Sequence, residues 1–159
     1  MICFAFPLAH EAEAVLNKCT EKEQFSIHGL RCTMGNYCGR RILVVLVGMG
    51  QEQARRNTRT IFAYFRLKAI VLAGYGGALV PQMKVGQVVM SKNFSAENVV
   101  QYLRLLSGFD YASFCTADEL AGTREKREHY ARLSHAQVID RETEAVADVV
   151  RDRDVPFLA

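Results

Sequence analysis

The sequence lacks several features that would mark a membrane or secreted protein. Its longest apolar run, residues 42–47, is far too short to cross a membrane, which takes about 20 apolar residues. The five cysteines are odd in number and lack the paired spacing of zinc sites, and no signal-peptide pattern precedes them. These cysteines are typical of reduced thiols. We therefore expect a cytoplasmic protein that does not associate with membranes.

A concentrated basic surface is also missing from the sequence. The net charge is only +3, and 20 Lys and Arg residues are interspersed with 17 acidic residues along the chain. Proteins that bind nucleic acid usually concentrate Lys and Arg on one face or along one helix. We therefore expect no nucleic acid partner.

No linker, repeat or low-complexity segment divides the 159 residues, which suit a single domain with a buried core. The predicted strands are residues 1–6, 25–34, 41–47, 69–73, 88–90, 111–115, 136–140 and a last strand that begins at residue 156. The predicted helices are residues 10–18, 51–66, 97–106, 122–133 and 142–151. Strands that alternate with helices predict an α/β domain with a central, covered sheet.

The most informative stretch is residues 69–91, in which a buried apolar run ends in Gly74, Gly76 and Gly77. Glycines directly after a buried strand let the backbone approach a ligand and leave amide N–H groups free to face it. The spacing is not the dinucleotide-binding fingerprint, because Leu79 stands where a third glycine is needed and no acid follows at the expected distance. The turn is a candidate site for a small molecule.

Acidic residues follow two other predicted strands, at the sheet edge where α/β proteins bind ligands. Glu13 lies near a helix start, where a half-shielded carboxylate could take a proton from an attacking water. Glu142 lies close to the start of another predicted helix, just after Asp140. Acids also favour helix starts for structural reasons, as caps and through the helix macrodipole. The residues alone leave both interpretations open.

A second glycine turn, Gly48-Met49-Gly50, precedes a helix whose arginines include Arg55, Arg56 and Arg59. Glycine is common in any turn from strand to helix, so this turn is weak evidence when taken alone. The arginines would suit a phosphate group, but a solvated helix face explains them better.

Taken together, these motifs resemble those of the nucleoside phosphorylase and nucleosidase superfamily. The family signature reads roughly (T/A)G-x-(A/G)G-x-L-x-P-x-(L/M)-x-(V/P)-G-D-(I/V)-V, and residues 73–89 resemble it. The opening F-P-L-A-H-E-A-E resembles the nucleosidase branch, and V-I-D-R-E-T-E-A resembles the family's V-(D/E)-M-E-(A/S/T)-x-A segment. The resemblance implies one phosphorylase-like domain over residues 1–159, folded as a three-layer αβα sandwich with a central mixed, mostly parallel sheet.

The resemblance also implies roles for individual residues. Glu13 matches the glutamate that activates water, and Glu142 matches the acid that grips the ribose 2′ and 3′ hydroxyls, which a carboxylate can accept together. Arg141 replaces the usual methionine beneath the sugar, so its charge must find a partner or leave the site. The remaining expected substrate contacts are Gly74, Tyr75, Gly76, Gly77, Asp118 and Leu120, the last in place of a stacking aromatic residue.

By the same resemblance, the expected reaction is cleavage of a purine nucleoside at its N-glycosidic bond. Water is the expected nucleophile, because Leu72 and Tyr75 occupy positions at which one phosphorylase branch holds phosphate with Arg and Ser. The expected substrates are adenosine-type nucleosides such as methylthioadenosine or adenosylhomocysteine. No cofactor or metal is implied, and a homo-oligomer, a dimer or higher, is expected. A purine nucleoside phosphorylase, or a non-catalytic nucleoside-binding or structural paralogue, remains an alternative.

A further expectation concerns the end of the chain. In the family, a strand that begins V-P-F continues to an R-x-x-S-D segment, whose aspartate protonates purine N7. The sequence given stops at Ala159, before that position. On this resemblance the fold would be C-terminally incomplete, and the 159-residue form would be a truncated version or a paralogue with weak or no activity.

Overall fold

The computed structural model describes residues 1–105 and 108–159. Its strands are β1 (Ile2–Phe6), β2 (Thr20–Ile27), β3 (Leu30–Tyr37), β4 (Arg40–Leu46), β5 (Ala69–Leu72), β6 (Gly77–Ala78), β7 (Val89–Ser91), β8 (Asp110–Ala112), β9 (Phe114–Thr116), β10 (Val138–Asp140) and β11 (Phe157–Leu158). Its helices are α1 (Ala9–Leu16), α2 (Gln51–Tyr64), α3 (Glu97–Leu103), α4 (Arg124–Ser134) and α5 (Thr143–Arg151). Across the described ranges, no helix is long and apolar enough to cross a membrane.

The main sheet has six strands in the order β11-β5-β1-β4-β3-β2. The strands β11, β5, β1 and β4 are parallel, and β3 and β2 extend the sheet with antiparallel pairing. A smaller sheet has the order β6-β10-β9, in which β10 is parallel to β9 and antiparallel to β6. The predicted α/β fold with a mixed, mostly parallel sheet is therefore confirmed.

Helices cover both faces of the main sheet, as the alternation of side chains along β4 illustrates. Successive side chains of a strand point to opposite faces. Leu43 and Val45 lie in the larger core cluster, which includes Ile61 of α2 and residues of α5. Ile42 and Val44 lie in the second cluster, together with residues of α1. The two clusters on opposite faces confirm the three-layer arrangement.

The antiparallel part of the sheet differs from the prediction. The sequence predicts one strand over residues 25–34 and a turn within residues 35–39. The chain does reverse at Cys38 and Gly39, between β3 and β4, but it also reverses at His28 and Gly29, with φ angles of 49° and 81°. Two successive residues of positive φ are the requirement of a type I′ hairpin turn. The predicted single strand is therefore wrong, because the turn is defined by backbone conformation at His28 and not by a conventional turn sequence.

Two smaller differences follow from short elements with weak patterns. The predicted strand over residues 111–115 is divided between β8 and β9, which belong to different sheets. The predicted helix over residues 97–106 is observed as Glu97–Leu103, and its last predicted residue lies outside the described ranges. The two-residue strand β6 was not predicted, since it has no repeat long enough to recognise.

The topology brings five loops to one region. The strands β5, β1 and β4 are parallel neighbours, so the segments that follow them meet at the same edge of the main sheet. The segment after β5 runs directly into β6, which pairs with β10. The ends of β9 and β10 are thereby joined to the ends of β5, β1 and β4 through the glycine turn.

Candidate functional site

The three glycines of the turn after β5 are needed first of all by contacts within the chain. A Cβ atom at Gly74 would lie 3.1 Å from the Glu11 carboxylate, and one at Gly76 would lie 2.7 Å from Cγ1 of Val138. A Cβ atom at Gly77 would lie 3.0 Å from a side-chain carbon of β10. The glycines therefore let the turn pack between the start of α1 and β10, and their presence alone does not indicate a ligand.

Glu11, which sequence reasoning missed, is the acidic residue that contacts this turn. Its Oε1 accepts a hydrogen bond from the amide of Tyr75 at 3.0 Å, and its Oε2 accepts one from the amide of Leu8 at 2.8 Å. The half-buried carboxylate is thus oriented by two backbone donors. The signal in the sequence was the three-residue spacing from Leu8 to Glu11, which is that of a helix N-cap and its N3 residue.

Glu13, the predicted water-activating residue, lies elsewhere. It is exposed on α1. Residues two apart on a helix point in directions about 200° apart, so Glu13 faces away from the turn that Glu11 contacts. The structure does not bring Glu13 together with the other predicted site residues.

The side chain of Tyr75 lies at the protein surface beside the glycine turn. It is 77% exposed, and its ring stacks on His10 with 5.7 Å between the ring centroids. Only the backbone amide of Tyr75 bonds to Glu11. Its side chain is therefore available at the surface next to the glycine turn.

Glu142 is buried between β10 and α5. Its Oε1 accepts a hydrogen bond of 2.5 Å from the amide of Gly50, in the turn between β4 and α2. Burial raises the pKa of Glu142 above its ordinary value, and the hydrogen bond from Gly50 opposes this shift. An ionised carboxylate has about four acceptor positions, so this contact leaves capacity for hydroxyl donors.

Asp140 has a structural role at the start of α5. Its carboxylate accepts hydrogen bonds from the hydroxyl of Thr116 at 2.7 Å and from the amide and hydroxyl of Thr143. Burial nevertheless raises the pKa of Asp140. The carboxylate thus joins β9 to α5 and satisfies an amide at the helix start, which is the capping role that the sequence left open.

Arg141 and Asp118 are brought together by the loops that follow β10 and β9. Nη2 of Arg141 donates to the backbone carbonyl of Asp118 at 2.9 Å, and the Asp118 carboxylate accepts from Nε2 of Gln51 at 2.7 Å. The charged group of Arg141 therefore finds its partner within the chain. Leu120, two residues further on, is 71% exposed.

The arginines of α2 line a groove of about 640 Å³ together with Gln51, Glu52 and Asp118. Arg55 also forms a salt bridge of 3.0 Å with Asp148 of α5. The groove contains neither Glu11 nor Glu142, and acidic residues share its lining with the arginines. We therefore place the candidate site at the loops around the glycine turn and the ends of β1, β4 and β10, where backbone amides hold the carboxylates of Glu11 and Glu142, and not in this groove.

Comparison with known proteins assigns the chain to a family. A model of the phosphorylase superfamily matches residues 1–117, so the chain belongs to that superfamily. A DeoD-type purine nucleoside phosphorylase from Hahella chejuensis is 28% identical over 113 residues, which are 67% of this chain and 48% of the relative. The chain thus spans about half the length of the curated relative that it matches.

Solved structures confirm the fold. A futalosine hydrolase mutant from Helicobacter pylori superposes with a TM-score of 0.90 at 15% identity, covering 99% of this chain and 82% of that one. A 5′-methylthioadenosine/S-adenosyl homocysteine nucleosidase from the same organism, complexed with a small-molecule ligand, gives a TM-score of 0.91 at 14% identity, with coverage of 99% and 81%. At this level of identity, these similarities establish the fold alone.

The packing of the glycine turn leads to a stability prediction. We expect Gly76→Ala to lower the free energy of unfolding by about 1–3 kcal/mol, because the added methyl group would overlap Val138. In a Val138→Ala background the same change should cost at least about 0.5 kcal/mol less. Denaturant unfolding of the four chains measures this coupling. Gly122→Ala, where a Cβ atom has open space, is the matched control. Additive effects would contradict the proposed contact.

The burial of Glu142 leads to a pH prediction. Because its folded pKa is raised above the ordinary 4.5, the folded state holds the proton more tightly, and stability is lost as pH rises through the folded pKa. Glu142→Gln keeps an oxygen for the Gly50 amide and removes the ionisation. We expect its melting temperature to exceed that of the unmodified chain at about pH 7, and the difference to shrink at about pH 4.

The exposed Glu13→Gln variant controls for the loss of one negative charge in this comparison. A Glu142→Gln chain that melts lower than the unmodified chain at about pH 7 would show that ionised Glu142 stabilises the fold.

Proposed function

We propose that this chain binds a purine nucleoside of the adenosine type and cleaves its N-glycosidic bond by hydrolysis. The observation that carries the proposal is the pair of carboxylates, Glu11 and Glu142, each held by backbone amides of loops that meet around the glycine turn. Membership of the phosphorylase superfamily and the similarity of the fold to nucleosidases support this choice of reaction.

In this proposal Glu11, and not Glu13, activates the attacking water. Its two oxygens are fixed by the amides of Leu8 and Tyr75, and each keeps a lone pair that can accept a water proton. The water oxygen then attacks C1′ of the ribose as its proton passes to Glu11. The C1′–N9 bond breaks, and its electron pair leaves with the purine. We assign no residue of this chain to protonation of the leaving purine.

Glu142 would hold the ribose hydroxyls. A buried carboxylate with free acceptor positions can bind the 2′ and 3′ hydroxyls together, and the surrounding low dielectric strengthens such bonds. The Gly50 amide fixes the direction of the carboxylate before the sugar arrives. The turn from Gly74 to Gly77 would face the sugar and base, and Leu120 would make apolar contact with the base.

Phosphorolysis is the second candidate, because the curated relative is named a purine nucleoside phosphorylase. Against it, Leu72 stands where the resemblance expects an Arg that binds phosphate, and it is 6% exposed. Tyr75 stands where a small Ser that binds phosphate is expected, and its bulky ring is exposed. We therefore favour water as the nucleophile. We also propose that the chain acts in the cytoplasm as a homo-oligomer, as the resemblance implies.

The first test of the proposal is ligand binding. We expect the unmodified chain to bind adenine, adenosine and methylthioadenosine in calorimetry. Glu142→Gln should weaken both nucleosides by about 10- to 100-fold, since hydrogen bonds to charged groups are the strong ones, and should change adenine affinity by less than about twofold. Absence of heat at millimolar ligand, from a folded sample, would refute the proposal.

The second test separates the two acids of α1. We expect Glu11→Gln to slow release of adenine from methylthioadenosine by about 10²- to 10⁴-fold, the usual contribution of a general base, and Glu13→Gln to have little effect. Both variants remove one charge, so each controls for the other. The sugar product is also measured with and without inorganic phosphate, because hydrolysis gives the free sugar and phosphorolysis gives the sugar 1-phosphate. Loss of turnover in Glu13→Gln alone would reverse the assignment.

A further inference from the structure

Asp118 is held by two different loops of the candidate site. Its carboxylate accepts a hydrogen bond from Gln51 at the start of α2, and its carbonyl accepts one from Arg141 after β10. The distances are 2.7 Å and 2.9 Å. The Gly50 amide beside Gln51 in turn donates to Glu142, which follows Arg141 in the chain. Three loops are therefore joined by three hydrogen bonds around Glu142.

The position of Arg141 is confined on several sides. A Cβ atom at Gly50 would lie 3.4 Å from its Nη2, so the guanidinium packs against the backbone there. Its Nε is buried and has no hydrogen-bond partner within the part of the chain that the structure describes. Long cationic side chains normally extend their charged group to water. Here the guanidinium packs against the backbone at Gly50 with its Nε buried, and its Nη2 reaches the carbonyl of Asp118.

The rest of this loop is held from another side. Lys126 of α4 donates to Glu119 at 2.6 Å, and Arg127 donates to the carbonyls of Ala121 and Gly122 at 3.2 Å each. These contacts connect the loop to α4, whereas the contacts of Asp118 described above connect it to the loops that carry Gly50 and Glu142.

We infer that Arg141 is a positioning residue, which with Gln51 fixes the loop of residues 117–122 against the part of the site that contains Glu142. Methionine, which the resemblance expects at this position, could pack there but could not donate a hydrogen bond. Arg141 therefore supplies a tether that a methionine at this position could not supply. Its consequence for ligands rests on the proposed function, in which this loop faces the purine.

Hydrogen–deuterium exchange tests the tether without a ligand. The amide of Ala117, which donates to the carbonyl of Asp140, reports on opening at the start of the loop. We expect Arg141→Met to speed its exchange by about 2- to 10-fold, the effect of one hydrogen bond. Arg141→Lys, which keeps a donor, should restore part of the protection. Arg41→Met, which removes an exposed arginine of β4, should change nothing in this loop.

A second variant and a ligand assay complete the test. Gln51→Ala removes the other tether, and we expect its effect on exchange to be non-additive with that of Arg141→Met, because both act on Asp118. In calorimetry, Arg141→Met should weaken adenine by about 2- to 10-fold, whereas Arg141→Lys should weaken it less.

The outcomes separate the tether from the proposed function. Faster exchange in both Arg141→Met and Gln51→Ala supports the tether, and unchanged exchange in a folded Arg141→Met chain overturns it. If Arg141→Met does not fold, unchanged exchange in Gln51→Ala overturns it equally. If Arg141→Met speeds exchange but the unmodified chain binds no purine, the tether is supported and the proposed function is refuted.

Discussion

The close approach of the glycine turn to β10 is the contact on which the rest of the site depends. Gly76 lies so close to the Val138 side chain that there is no room for a Cβ atom between them. This approach lets Gly77 pair with Ile139, which connects the main sheet to the sheet that carries Glu142. At its other end the same turn directs an amide at Glu11. One tightly packed turn thus holds the Glu11 carboxylate and packs against β10, the strand that precedes Glu142.

Backbone amides, and not side chains, orient these carboxylates. Glu11 is held by two amides, and Glu142 is held by the amide of Gly50. Amides of a packed loop lose little freedom when they bind, so the acceptors are pre-oriented before any ligand arrives. The arrangement has a cost for Glu142, whose burial opposes ionisation and raises its pKa. On the proposed function, a ribose that donates two hydroxyls would offset this cost.

The fold was largely predictable from the sequence, and parts of the site were not. Apolar strands that alternate with amphipathic helices predict the layers, because burial on both faces of a parallel sheet leaves a clear pattern. The strand β2 was missed, since most of its residues are exposed and only Phe25 and Ile27 are partly buried. Glu11 and Glu13 could be separated only by the helix register, which depends on where α1 begins. The contact between Arg141 and Asp118 spans 23 residues and ends on a carbonyl, so no side-chain pattern encodes it.

The departures from the family motif become consistent with one another when the loops are considered together. Leu120 stands where the resemblance expects an aromatic ring, so on the proposed function stacking would not help to hold a base or its loop. Arg141 stands where the resemblance expects a methionine, and on the proposed function it would exchange apolar packing beneath the sugar for the hydrogen bond that it makes to the loop that carries Leu120. A loop that is not held in place by stacking on a base must be held in place by contacts within the protein. The tether from Arg141 and Gln51 to Asp118 supplies that order before a ligand is bound, so the two substitutions are better understood as one change in how the site is held than as two separate losses.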